Sequence, residues 1–413
     1  MQESHGSEAP RVGLFGRLGS GNIGNDATFE AILAYLRTEQ PDAFLDCMCA
    51  GPTEVTRRYG LPATQIHWFH ESRPVGSRLA RTVMTTVRIG VGLVIDTWRT
   101  ASWVRRHDVV IIPGMGVLEA APLEHPWQLP YSMFVLSMLA KVFGTKVALV
   151  SVGVTDQSPG LSRRLLTVAA KHAHYRSFRD DPSLAAARRL GIAQPGDRVY
   201  PDLVFALPTP PRSSESGGTV GVGVMAYDGV ANGRTAEERQ SEYVDSLKAF
   251  VGWLVDTDHR VRILIGDDAD EPTAREIVAA CCTYRNGSAA PSVVYEPIAT
   301  PDELFEQIVT LDSVVATRFH NVLVALKCSV PTLSIGYGPK HRALMGYLGV
   351  GSLAQDVDGL DAERLKEQFQ MLEANKEQVA STLTSGTQTL REALEDQFAE
   401  LSATLFPGVT AAG

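Results

Sequence analysis

In VVATRFHNVLVAL, residues 314–326, an arginine and a histidine stand at the joint between two apolar elements. Arg318 leaves the strand-like run SVVAT, and His320 falls in the first turn of the helical pattern HNVLVALK, with Asn321 beside it. A guanidinium grips phosphate or carboxylate with two parallel N–H groups. An imidazole exchanges a proton near neutral pH. The pair suits an anionic substrate with a proton to move; a histidine that only caps or packs the helix is the competing account.

Three other stretches place polar groups after strand-like runs, where ligands bind in open α/β sheets. SFRDDPS (177–183) carries Arg179 ahead of a helix for which Asp181 is the expected cap and Pro182 the first residue. The alternative there is a surface arginine paired with Asp180 or Asp181. GYGPKHRALM (336–345) puts Tyr337, Lys340, His341 and Arg342 in a Gly/Pro loop. Its lysine is a point-charge partner for phosphate, and a solvated charge cluster is the rival account. GRLGSGNIGNDA (16–27) is a glycine-rich turn entering a helix that Asn25 or Asp26 is expected to cap. Gly21 and Gly24, with Asn22 between them, allow close backbone approach, and the helix start offers N–H groups to an anion. The spacing G-x-x-G-x-G-x-x-G is not the dinucleotide fingerprint, so a purely structural turn stands as the alternative.

The elements that must position these groups alternate along the chain. RVGLFG (11–16), AFLDCMCAG (43–51), DVVIIPG (108–114), KVALVSVG (146–153) and YRSFRD (175–180) are near-continuous apolar runs, as parallel strands covered on both faces require. LPTPPRSSESGG (207–218) is the linker candidate. The alternation then restarts with TVGVGVMAY (219–227), VRILIGD (261–267), SVVYEP (292–297), SVVAT (313–317) and VPTLSIGY (330–337). The expected architecture is α/β: two doubly wound Rossmann-like domains, 11–207 and 219–358, facing a cleft, with a linker at 208–218 and a helical tail at 359–406. Such a cleft would gather Arg179 from the first domain and Arg318, His320 and Lys340 from the second.

A chain of 413 residues exceeds one ordinary core. Its net charge of −9, without a lysine-rich tail, argues against non-specific nucleic-acid binding. Five cysteines in C-x-C and C-C pairs, plus one alone, lack a second pair at zinc-finger spacing and fit a reducing compartment. HWFH (67–70) and HAH (172–174) have no further partners at metal-ligand spacing. MQESHGSEAP has no apolar signal core, so a cytoplasmic protein is expected. Segment 77–108 mixes apolar residues with Arg78, Arg81, Arg88, Arg99, Arg105, Arg106, Trp98 and Trp103. Arg88 and Asp96 break it below a membrane span. A partly exposed helix packed on the first domain is the plain account. Peripheral contact with the inner membrane face is the other.

GSGNIGNDA, VVIIPGMG, FRDDPS and TRFHNVLVALKCSVPTLSIGYGPKH, in this order, resemble the polysaccharide pyruvyl transferase family over roughly residues 11–345. The resemblance implies a metal-independent, cofactor-free enzyme with a GT-B-like fold. It would move the enolpyruvyl unit of phosphoenolpyruvate onto a sugar or glycolipid acceptor as a cyclic ketal. It assigns Arg179 and Arg318 to the donor and His320 to donor binding or proton transfer, with Lys340 a less secure match. The first domain becomes the acceptor side and the second the donor side. Gly21, Asn22, Gly24, Asn25, Asp26, Gly114, Gly116, Asn321, Tyr337 and Lys340 become expected substrate-binding positions. The chain departs from the family at PGMG, where a third glycine is common.

Two rivals remain at the level of sequence. A nucleotide-sugar glycosyltransferase on the same fold needs an acidic grip on a ribose, for which Glu296 is available. A catalytically silent glycan-binding relative has no need of a proton donor beside paired arginines. Segment 77–108 makes a lipid-linked acceptor at the cytosolic membrane face the preferred expectation.

Overall fold

Buried apolar strands form the centre of two separate parallel sheets. A computed structural model describes residues 9–68, 78–119, 125–158, 160–212, 217–227, 235–282 and 292–407. His70 of HWFH and residues 213–216 of the expected linker lie outside the described residues. The first unit comprises residues up to Ser20, Thr28–Leu203 and the chain from Ala393. Its strands are β1 (Arg11–Gly16), β2 (Phe44–Cys49), β3 (Ala63–Gln65), β4 (Val109–Pro113), β5 (Lys146–Val152), β6 (Tyr175–Phe178) and β7 (Arg198–Val199). They order as β3-β2-β1-β4-β5-β6-β7, all parallel.

The second unit comprises Gly21–Ala27 and Val204–Glu392. Its strands are β8 (Thr219–Gly223), β9 (Arg260–Leu264), β10 (Val293–Tyr295), β11 (Ser313–Ala316), β12 (Thr332–Gly336) and β13 (Ala354–Asp356). The order is β10-β9-β8-β11-β12-β13, again parallel throughout. β4, β11 and β12 are buried at every position. That is why β4 reads as an unbroken apolar run, while β11 and β12 enclose the small polar residues Ser313, Thr332 and Ser334. β3, β7 and β13, which lie at sheet edges and span two or three residues each, carry no such signal.

The units differ from the sequence expectation in three places, the smallest being Val204–Leu207, expected to close the first domain but part of the second unit. Gly21–Ala27, expected in the first domain, clusters with the second unit. The expected 359–406 tail is the helices Ala362–Ala374 and Lys376–Leu405, and the part from Ala393 belongs to the first unit. There Gln397 donates to Ser177 at 2.8 Å, Tyr35 meets Ser402 at 2.6 Å, and Tyr200 donates to Glu400 at 2.6 Å. Helix starts follow local chemistry: Thr235 and Glu238 form a reciprocal capping box, and Thr300 and Asp361 cap the helices after them.

One buried cation marks the core of the second unit. Lys327 ends the helix Phe319–Lys327, and its Nζ donates to the Phe205 carbonyl at 2.9 Å. Burial pushes its ammonium down to about 8 from 10.5. Between those values the unfolded chain holds a proton that the folded chain has released, so this lysine's contribution to stability rises with pH. Below pH 8 the folded state bears the whole penalty. The stability of the parent relative to Lys327→Met is therefore expected to rise by about 3 kcal/mol from pH 7 to 10.5. Unfolding measured at matched pH checks this, and the pH-independent loss at the Phe205 carbonyl drops out of the trend. A flat difference would mean that Lys327 is not desolvated.

Candidate functional site

In a doubly wound sheet the crevice for ligands opens where the strand order reverses, beyond the carboxyl ends of the two central strands. In the second unit that point lies between β8 and β11. Thr317 N donates to the Gly223 carbonyl at 2.9 Å and closes the floor. Tyr243, fully inside, bonds Thr317 Oγ1 at 2.8 Å and receives Met225 N at 3.1 Å. Burial raises its hydroxyl well above the ordinary range, so it stays protonated. Arg318 then leaves β11 as the N-cap of the helix Phe319–Lys327.

Arg318 does not stand alone. Its Nε donates to Asp270 Oδ2 at 2.7 Å, and its Nη2 pairs with Asp270 Oδ1. Asp270 is fully buried and also accepts from Ala226 N at 2.9 Å and Gly266 N at 3.2 Å. Burial works against the guanidinium charge, but the hydrogen bond and charge of Asp270 outweigh it and hold Arg318 above its ordinary value. About a fifth of the arginine side chain is exposed, and its Nη1 corner lies outside the carboxylate pair. The partner was legible only as the acidic run DDADE after β9, which names no particular carboxylate.

The glycine-rich turn comes to the same edge. Asn22 pairs with Asp267 as an isolated bridge, its Nδ2 donates to Asp267 Oδ2 at 3.1 Å, and Ile23 N donates to the Gly266 carbonyl at 3.4 Å. Asn22, rather than Asn25 or Asp26, caps the helix Ile23–Glu39, its Oδ1 accepting Asn25 N at 3.2 Å. Gly21 has φ +82°, and a Cβ there would press on the Asp268 carboxylate. A Cβ on Gly24 would overlap the imidazole of His320. Glycine at that position therefore lets the backbone lie against the His320 ring. His320 itself is half-buried, edge-on to Phe319 with ring centroids 5.4 Å apart.

Asn321 lies beneath this surface. It is fully buried, with its amide against Gly223 and Gly266, and neither amide atom has a hydrogen-bond partner among the described residues. An expected substrate contact is thus out of reach in this conformation. The 336–345 stretch is likewise not a loop: Pro339–Tyr347 is a helix. Lys340 sits 5.0 Å from the ring centroids of both Phe319 and Tyr337. His341, expected in the open, is fully buried with Nε2 3.1 Å from the Thr317 carbonyl. Arg342 is tied to Asp356.

In the first unit the reversal lies between β1 and β4. Pro113-Gly114-Met115-Gly116 follows β4, and Gly114 N donates to Val150 O at 2.7 Å. Gly114 and Met115 have φ of +47° and +59°, so the loop keeps a methionine where the left-handed backbone favours glycine. Arg179, after β6, is buried, and its Nη2 donates to Glu119 at 2.5 Å while its Nε lies 3.5 Å from Asp180. Asp180, not Asp181, caps the following helix and receives Ser183 N at 2.7 Å. Side chains on Gly116 or Gly153 would collide with Glu119, and on Gly153 with Arg179 as well. Glu119 and Asp270 are the two residues that sequence reasoning missed.

Other candidates recede. Glu296 follows the edge strand β10, is mostly exposed and faces Arg262 at 3.7 Å. Among the described residues no group of three or more His, Cys, Asp or Glu is arranged to hold a metal ion, and all five cysteines are free.

The family model for polysaccharide pyruvyl transferase matches residues 22–339. No curated protein matches the chain. Among solved structures, a putative UDP-N-acetylglucosamine 2-epimerase from Listeria monocytogenes is 12% identical over 95% of this chain and 96% of that one, with a TM-score of 0.60. MnaA of S. aureus, solved with UDP, is 10% identical over 96% and 97%, with a TM-score of 0.59. MurG of Acinetobacter baumannii is 10% identical over 95% and 99%, with a TM-score of 0.53. These likenesses establish a GT-B-like fold of two Rossmann-like domains and nothing finer.

The Asp270 pair makes a stability prediction. Removing one member of a buried, hydrogen-bonded ion pair typically costs about 3–5 kcal/mol. Asp270→Ala is expected to lower the unfolding free energy by that amount in denaturant titration. A loss below about 1 kcal/mol, the range of exposed pairs, would show that solvent screens the interaction.

Proposed function

The chain belongs to the polysaccharide pyruvyl transferase family, and from that premise we propose that it moves the enolpyruvyl group of phosphoenolpyruvate onto two hydroxyls of an acceptor sugar, in a polysaccharide precursor or glycolipid, and releases phosphate. The observation that carries the reading is the joint after β11. There Arg318 carries a carboxylate-braced guanidinium two residues before His320, whose half-buried imidazole lies against the backbone of Gly24.

The proposed chemistry is proton addition followed by two attacks. Protonation of the donor's methylene carbon leaves C2 electron-poor, and one sugar hydroxyl adds there, losing its proton. A second hydroxyl then forms the other C2–O bond as the C2–oxygen bond to phosphate breaks; phosphate departs with the electron pair and takes up the proton that this hydroxyl loses. His320 delivers or relays the proton, and Arg318 stabilises charge on the phosphate. Lys340, parked over Phe319 and Tyr337, supplies further positive charge. Arg179 enters on the family resemblance alone, as a second donor arginine. Glu119, which holds it, must give way before an anion takes its place. Fold neighbours were solved with UDP or UDP-GlcNAc, but Glu296, the acid available for a ribose, follows the edge strand β10 and faces Arg262.

Calorimetry with phosphoenolpyruvate is expected to show binding to the parent, without added metal, and its loss in Arg318→Ala. His320→Ala is expected to keep donor affinity and lower turnover, read as phosphate release, by about 10²–10⁴. Gly24→Ala, which displaces the imidazole without touching its chemistry, should fall in the same direction. Near-normal turnover in His320→Ala would remove the proton-transfer role. Binding of a nucleotide sugar but not of phosphoenolpyruvate would replace the whole reading.

A further inference from the structure

No described helix is long and apolar enough to cross a membrane. The helix Arg78–Val104 lies along the first unit, and beside it opens a cleft that the chemistry above leaves unused. Its last turns are anchored low on the sheet, where the Trp103 indole donates to Asp46 at 2.7 Å and Gly13 leaves room for the ring. Further back, Asp96 accepts Trp68 N at 2.8 Å, three residues beyond the carboxyl end of β3. Thr97 Oγ1 meets Tyr131 Oη at 2.8 Å and ties the same turn to the helix Leu129–Phe143. The cleft among these segments therefore opens at the carboxyl edge of the sheet, the edge at which ligands bind.

Its volume is about 80 Å³, room for about five waters and hence for a small ring. Ile89 and Leu93 supply apolar wall, and Trp127, 39% exposed, supplies a flat one. The His125 ring stacks on Trp127 with centroids 4.5 Å apart and planes 11° from parallel, which fixes the plane of the indole. The polar groups are Asp96, Gln128 and His67, the first histidine of HWFH. Asp96 Oδ1 takes Trp68 N and, at 3.4 Å, Arg99 Nη1. Its Oδ2 lies 3.9 Å from His67 Nδ1, too far for a hydrogen bond. Gln128 accepts His125 N through Oε1 at 3.0 Å and keeps its amide N–H groups as donors.

These groups select their occupant. A phosphate or carboxylate would face the Asp96 carboxylate, and for a cation that charge is already answered by Arg99. A purely apolar ligand would strip water from Asp96 and His67 and return no hydrogen bond. A neutral polyhydroxylated ring meets every group. Its hydroxyls donate to Asp96 Oδ2 and accept from the imidazole and the amide, while a C–H face covers the indole. We propose that this cleft seats a neutral sugar residue, other than the one whose hydroxyls react. β3 is the outermost strand and the β1–β4 reversal lies beyond β2, which sets this sugar apart from the reacting one. As part of the acceptor it rests on the reaction proposed above; as a sugar site it does not.

The test is saturation-transfer NMR on the full chain with the methyl glycosides of glucose, galactose, mannose and N-acetylglucosamine. The expected result is transfer to at least one of them, with binding weakened about tenfold in Trp127→Ala and partly kept in Trp127→Phe. Trp127 is exposed, so both variants should fold, and an unchanged melting transition checks that. Calorimetry with phosphoenolpyruvate should give the same donor affinity with and without the bound glycoside. Donor binding without glycoside binding removes the sugar site and leaves the reaction. Glycoside binding that is lost in Trp127→Ala, without donor binding, supports the sugar site and removes the reaction. The proposal is also overturned if Trp127→Ala binds the glycosides as the parent does, or if the glycoside displaces phosphoenolpyruvate.

Discussion

Asp270 is the constraint on which the carboxyl edge of the second unit depends. It joins three segments that meet after separate strands: Ala226 beyond β8, Gly266 beyond β9, and Arg318 beyond β11. Without a charge at the centre, two backbone N–H groups and a guanidinium would converge inside the protein with no acceptor, each loss costing about 1–3 kcal/mol. With it, the position of Arg318 follows from the sheet rather than from a flexible side chain. The glycines around it have the same cause. Gly223 and Gly266 are where a Cβ would strike Asn321, and Gly266 is also where it would meet Arg318.

The buried Asn321 amide sharpens this account. An enclosed amide without partners among the described residues is unfavourable, and it lies against Gly223 and Gly266. Its place in the first turn, directly under the Arg318–His320 joint, makes it a candidate for shaping that joint rather than for touching a substrate. The backbone of Gly24 then bounds His320 from the other side. The imidazole is held by steric exclusion on one face and by Phe319 on another, which fixes its direction better than exposure on a loop would.

How much of this was legible follows from the range of each signal. Central strands announced themselves, because a strand covered on both faces is dominated by apolar residues, throughout in VVIIP and after Ser313 in SVVA. β3, β7 and β13 did not, since two or three residues at an edge carry no period. The joint at Arg318 was visible as two polar residues between apolar elements. Its partner was not, because Asp270 lies 48 residues away and is one of several acids in DDADE. The cap errors were small and local: Asn22 and Asp180 displaced their neighbours because a cap is chosen by backbone geometry as well as residue type. The expected open loop at 336–345 failed for a different reason. Pro339 starts a helix as readily as it ends one, and that helix carries His341 inward.

Both arginines expected to meet an anion already carry a carboxylate, Arg318 with Asp270 and Arg179 with Glu119. That bears on turnover. In the proposed reaction phosphate is part of the donor and then the product, so a grip on it that is equally strong before and after the step slows release without lowering the barrier. Under that proposal a carboxylate partner would weaken this uniform grip and leave the Nη1 corner of Arg318 for the charge that develops as the C2–oxygen bond breaks. The two partners differ in one respect: Asp270 is wholly enclosed, whereas Glu119 is about a third exposed. Asp270 is therefore fixed scaffolding, and Glu119 is the carboxylate that can move. Of the two arginines, Arg318 is held by the enclosed Asp270, and under the proposed function Glu119 would govern the availability of Arg179.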